Sequence, residues 1–175
     1  MGWFASHRPL TLDTFPDLVQ QEFSWLADQY GFSVVQRTRF AYRYAAVLFL
    51  NRTSHVRVGW EPQDNAYLSV DVGTLAGGQG GGSYVPGQSY PLWLVAWTRS
   101  GDEGLARLLT KCRSGWKRGV RATLRQNSHA LKMYGTDILL GDFSAFGLLD
   151  AANDIRMRAN VAHHAWPDPR NPGWE

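Results

Sequence analysis

From Phe32 to about Leu75 the apolar residues fall at every second position. Val56, Val58 and Trp60 alternate with Arg57 and Gly59, and Leu68, Val70 and Val72 alternate with Ser69 and Asp71. A period of two sends successive side chains to opposite faces of a strand. One face is then buried and the other solvated, which is the pattern of an antiparallel sheet. Val34 opens a first strand and Arg43–Leu50 makes a second, more continuously apolar one. The connections Asn51–Ser54 and Pro62–Asn65 are short and rich in turn formers, so neighbouring strands join as hairpins. The expectation is a four-stranded antiparallel meander.

Helical periods flank it. Thr14, Pro16 and Asp17 form a helix-start signature, after which Phe15, Leu18, Val19, Leu26 and Tyr30 share one face and Gly31 closes the helix. Glu22 falls near that apolar face, where an unpaired charge is costly, so it is expected to snorkel or meet an arginine. The run Gly77–Ser83 lacks the Lys-Ser/Thr pair that a phosphate-binding loop needs after its last glycine; residues 76–88 are expected to be a flexible linker or lid. Ser89 and Pro91 then read as the start of a helix carrying Leu92, Trp93, Leu94, Val95 and Trp97. Further helices are expected over Glu103–Lys111, over Lys117–Tyr134 closed by Gly135, and over Phe143–Arg158 with Asp142 as its N-cap. Residues 161–175 hold three prolines and no helical period, so an extended tail is expected. With 175 residues, the whole is read as one α+β domain: residues 14–75 as helix plus sheet, the glycine loop, and a helical layer over 89–160.

The single cysteine, Cys112, excludes an internal disulfide. On the neighbouring helix it lies next to the apolar face, as a buried inert thiol would. His163 and His164 are adjacent and point apart, and no His or Cys pair, His55 and His129 included, has a metal-site spacing. No nucleophile elbow, zinc-protease or kinase signature occurs. No catalytic residue, metal or cofactor is therefore expected. Gly2 with Ser6 fits the permissive myristoylation pattern, and Asn51-Arg52-Thr53 fits a glycosylation acceptor placed at a hairpin turn. Neither apolar run, Ala45–Leu50 or Leu92–Trp97, approaches the roughly 18–20 residues of a membrane span. The start lacks a secretory apolar region, so the expected location is cytoplasmic.

Charge is the stronger lead. The formal net charge of +3 hides a division: residues 99–132 hold nine bases and two acids, and the remainder holds nine bases and thirteen acids. Lys117, Arg121 and Arg125 recur at four-residue spacing and form a ridge on one helix face, flanked by Arg118 and preceded by Trp116. With Arg107 and Lys111 they make a candidate basic face. Arginine forks suit phosphate or carboxylate, and tryptophan can stack on a base. The same charges could equally pair with acids on neighbouring elements, Asp137, Asp150, Asp154 and the first-helix aspartates among them. Trp166 and Trp174 in the tail are candidate docking aromatics, within the chain or onto a partner.

Two segments carry a resemblance. Phe15–Phe32, ending Trp25-Leu26-Ala27-Asp28-Gln29-Tyr30-Gly31-Phe32, and Tyr134–Phe146, with its Gly-Asp-Phe, resemble segments of small uncharacterised bacterial proteins of an immunity-like or accessory kind. The resemblance covers about a fifth of the chain and implies no catalytic residues. The functional expectation is a non-enzymatic binding protein acting through protein–protein contacts; the alternative is a nucleic-acid-binding module using the basic face over 99–132.

Overall fold

The computed structural model describes residues 10–40, 43–62, 67–75, 86–110 and 116–161. Two short helices, α1 (Phe15–Glu22) and α2 (Trp25–Tyr30), lead into β1 (Ser33–Phe40), β2 (Tyr44–Leu50), β3 (Ser54–Glu61), β4 (Tyr67–Leu75) and β5 (Pro86–Pro91). Five helices follow: α3 (Leu92–Ser100), α4 (Glu103–Thr110), α5 (Trp116–Tyr134), α6 (Thr136–Leu139) and α7 (Phe146–Val161). The strands form one sheet in the order β1-β2-β3-β4-β5, every pair antiparallel. The α+β class and the meander stand as the alternation implies.

The sheet has five strands where the period-two pattern indicates four. While Pro91 is the N-cap of α3 as the helix-start reading has it, residues 86–88, read as loop, and Ser89, read as part of a helix start, belong to β5, which Pro91 ends. Its sequence Pro-Gly-Gln-Ser-Tyr-Pro has no alternation to detect. Two prolines are tolerated because the strand is at the edge of the sheet, where a missing N–H breaks no ladder. The N-terminal helix is also divided in two. On one continuous helix, Phe23 and Trp25 would point about 200° apart; the break at Phe23–Ser24 lets both turn inward, and both are buried. Thr14 does not cap α1 through its own side chain; its hydroxyl accepts from the Thr11 N–H at 2.8 Å, and its N–H donates to the Thr11 hydroxyl at 3.2 Å. The last helix starts at Phe146 rather than Phe143. Asp142 accepts the Ser144 N–H at 2.9 Å in a turn ahead of it, so it is not the N-cap.

The helices cover one face of the sheet. Ala45, Val47, Phe49, Val56, Val58, Trp60, Leu68, Val70 and Val72 enter a single apolar cluster with side chains from all seven helices. Polar staples fix the layers. Ser128 on α5 accepts the Trp25 indole N–H at 2.8 Å and donates to the Glu22 carbonyl at 2.8 Å. Asn51 accepts the N–H groups of Thr53 and Ser54 with its Oδ1 and donates to the Leu139 carbonyl with its amide nitrogen at 3.0 Å. The asparagine of the glycosylation pattern is thus committed to tying the β2–β3 hairpin to α6. No helix among the described residues is long and apolar enough to cross a membrane.

Candidate functional site on the open face of the sheet

The register sets the relief of the opposite face. Phe40 pairs with Tyr44, one step beyond the pair Ala45–Trp60 brings Tyr44 level with Glu61, and Glu61 pairs with Tyr67. One large row thus crosses four strands. The next outward-facing row is small, with Thr38, Ala46, Gly59 and Ser69 in register. The third is long again, with Gln36, Leu48, Arg57 and Asp71. A small row between two large ones makes a trough. It encloses an open cavity of about 480 Å3, lined by Phe40, Tyr44, Arg57, Glu61, Tyr67, Ser69 and Asp71.

Gly59 is the reason the trough is deep. A Cβ there would lie 2.8 Å from the Tyr44 hydroxyl and 3.0 Å from the Ser69 hydroxyl. Tyr44 occupies that space, and Arg57 reaches it: the guanidinium donates to the Tyr44 hydroxyl at 2.6 Å and lies 5.5 Å from the ring centroid. Arg57 and Asp71 face each other across the β3–β4 ladder, yet the guanidinium is turned toward Tyr44. Burial pushes the Asp71 carboxyl above the usual carboxylate range, against the opposing pull of Arg57. Tyr67 is raised by burial and by the negative charges of Asp71 and Glu61. Tyr44 is raised by burial, which outweighs the lowering effect of Arg57. Phe40 is 70% exposed and Tyr67 44%.

Of the basic residues singled out from the sequence, several of those described are engaged with carboxylates of the same chain. Arg107 on α4 is tied to Glu103 one turn back. Arg125 on α5 donates from Nε to both Glu22 oxygens, at 3.1 and 3.3 Å, so the carboxylate on the apolar side of α1 does meet an arginine. Arg99 holds Asp137 with two bonds, at 2.7 and 2.5 Å, and also donates to the Tyr134 carbonyl. Lys132 stands 4.6 Å above the Trp25 ring. Arg121 is exposed and forms no ion pair among the described residues. Trp116, Lys117 and Arg118 begin α5, and their side chains lie outside the described residues, as do Lys111, Cys112, His163, His164, Trp166, Trp174 and the glycine run 77–83.

His55 is a strut. Its Nδ1 meets the Thr74 carbonyl at 3.0 Å and its Nε2 the Ser89 hydroxyl at 3.1 Å, so the ring crosses β4 over Gly73 to reach β5. His129 is exposed. No group of three metal-ligating side chains occurs among the described residues.

No protein-family model, curated protein or solved structure matches the chain. The period-two pattern by itself marks this face of the meander only as solvated and does not reveal the trough. A signal is there to be found: Phe40, Tyr44 and Tyr67 stand on the parity where the alternation calls for polar residues, and a glycine sits between them in register.

Proposed function

We propose that this chain is a non-enzymatic cytoplasmic binding protein that acts through protein–protein contacts, in line with its resemblance to immunity-like bacterial proteins, and that the partner docks on the trough face. The observation that carries the reading is the row of exposed Phe40 and Tyr67 with half-buried Tyr44, beside Arg57, on the sheet face opposite the helices. Aromatic residues and arginine supply most binding energy at protein interfaces, because they bury large rigid areas and form directed polar contacts. Large aromatics left half-exposed on one concave surface are better accounted for by a covered state than by solvent.

A nucleic acid is the weaker candidate. Phosphate binding needs uncommitted positive charge; Arg99, Arg107 and Arg125 hold carboxylates, and Arg121 is the basic-face residue that is exposed without an ion pair among the described residues.

The test uses the full chain as bait in a lysate of its source organism, beside a bait carrying Phe40→Ser and Tyr67→Ser. Both positions are exposed, so the double variant should retain the melting temperature. The expected result is a defined protein retained by the first bait and released by the second. Identical capture by both baits, or capture abolished by nuclease treatment, refutes the reading.

A further inference from the structure

The lining of the trough specifies what a partner has to bring. It carries one positive charge, on Arg57, and two negative ones, on Glu61 and Asp71. Arg57 is engaged by the Tyr44 hydroxyl and ring. Glu61 and Asp71 have neither a hydrogen bond nor an ion pair among the described residues. The uncommitted capacity of the walls is therefore that of an acceptor, and its charge is negative. Asp71 is the costlier of the two. A carboxylate withdrawn from water without a partner is unfavourable, and the upward push on its proton affinity is the mark of that cost. Arg57, opposite it across the ladder, offsets that cost only in part, its guanidinium being bonded to the Tyr44 hydroxyl.

The aromatic residues add a second requirement of the same sign. Phe40, Tyr44 and Tyr67 share a row with Glu61 and face Asp71 across the small row of the trough. Aromatic faces attract cations, most strongly where water is excluded, and a guanidinium offers flat stacking together with paired donors for a carboxylate. An acidic or phosphorylated ligand would meet two carboxylates against a single arginine already bonded to Tyr44.

Resting on the protein-binding reading above, we infer that the trough receives a basic side chain, arginine or lysine, projecting from the partner protein. The cation sits among Phe40, Tyr44 and Tyr67 and is hydrogen-bonded by Asp71, with Glu61 at the rim.

The experiment titrates the isotope-labelled full chain with acetylated, amidated pentapeptides Gly-Gly-Xaa-Gly-Gly, where Xaa is arginine, lysine, leucine or glutamate, and follows the chemical shifts of Tyr44, Tyr67, Ser69 and Asp71. Saturable shifts confined to these residues are expected with the arginine and lysine peptides. Affinity should be about tenfold above the leucine peptide, a difference of about 1.4 kcal/mol, and the glutamate peptide should not bind. Asp71→Asn with Glu61→Gln should remove the preference for the cationic peptides while leaving the sheet resonances in place. Equal binding of the glutamate peptide, no saturable shift with the cationic ones, or an undiminished preference in the double variant overturns the inference. The two proposals fail separately. If Phe40→Ser with Tyr67→Ser releases the captured protein and Asp71→Asn with Glu61→Gln does not, the docking face stands and the basic side chain falls. If the cationic peptides bind in the trough but capture is indifferent to it, the protein-binding reading falls and the chemistry of the site stands.

Discussion

Replacing Asp137 by asparagine tests whether the basic stretch of this chain is used to hold its own layers together. Arg99 lies at the end of α3 and Asp137 in α6, and their side chains are only 25% and 29% exposed. The pair is bidentate, and the same guanidinium donates to the Tyr134 carbonyl at the end of α5. Three helices therefore meet at one arginine. A hydrogen bond to a charged group contributes about 1.5–3 kcal/mol when water is excluded, while exposed ion pairs contribute about 0–1. A quarter-exposed bidentate pair falls between, and Asp137→Asn should cost about 2 kcal/mol. For a domain of this size, each kcal/mol lowers the melting temperature by about 2–4 °C, so a fall of about 4–8 °C is expected at pH 7. The pH dependence gives the sharper check. Burial raises the proton affinity of Asp137, but the bonds and charge of Arg99, with help from backbone N–H groups, outweigh it and leave the carboxyl below the usual range. A carboxylate depressed by folding stabilises fully above its unfolded pKa of about 3.9 and loses that contribution as pH falls through the folded value. Urea unfolding of wild type and Asp137→Asn at pH 7, 5, 4 and 3 should show a constant gap down to about pH 5 that narrows below pH 4. A gap under about 0.5 kcal/mol at pH 7, or one that does not narrow in acid, would refute the reasoning.

Other changes follow from the same geometry. Arg125→Glu should destabilise by about 1–2 kcal/mol, because it leaves the Glu22 carboxylate, only 13% exposed, facing a like charge; Arg121→Glu, one turn away and exposed, should stay within about 0.5 kcal/mol, and paired denaturant melts compare the two. Gly73→Ala should cost about 3 kcal/mol or more and release β5, since the added Cβ would lie 2.0 Å from the Gln88 carbonyl oxygen, which is backbone and cannot swing aside; hydrogen exchange over residues 86–91 reads the release, and unchanged protection there would contradict it. Gly59→Ala should change stability by less than about 1 kcal/mol, because the atoms in its way are the ends of the Tyr44 and Ser69 side chains rather than backbone. It should nevertheless break the Arg57–Tyr44 contact and weaken the cationic peptides, which the same shift titration measures.

What was legible in the chain was whatever has a period. Strands β3 and β4 announce themselves by alternation, β2 by its apolar run, and α5 by its four-residue rows. The Gly31 helix end is visible because a left-handed residue closes α2 there. β5 was not legible: an edge strand that contributes Tyr90 to the core needs no second apolar face, so it leaves no pattern. Gly141 and Asp142 resemble a helix start but form a turn, and α7 begins only at Phe146. The trough was hidden for a different reason. Its walls come from Phe40, Tyr44, Arg57, Glu61, Tyr67 and Asp71, which are neighbours only after three hairpins fix their register. A scan along the chain meets them one at a time as solvated-face residues.

The charge division takes on a different meaning once the pairs are known. An excess of bases over residues 99–132 and of acids elsewhere suggests at first a surface built for an anionic partner. Arg99 with Asp137 and Arg125 with Glu22 each join that stretch to an element outside it, and Lys132 joins it to Trp25. These are the contacts by which α3 and α5 are held against α1, α2 and α6. Opposite charges placed on different segments favour the correct docking of layers whose apolar faces alone would accept several arrangements. The ionisable groups of the trough are left differently: one arginine committed to a tyrosine, and two carboxylates committed to nothing among the described residues. Arg99, Arg107 and Arg125 are thus paired within the fold, while among the described residues a half-buried aspartate stands without a hydrogen bond or ion pair in the trough that three aromatic rings line.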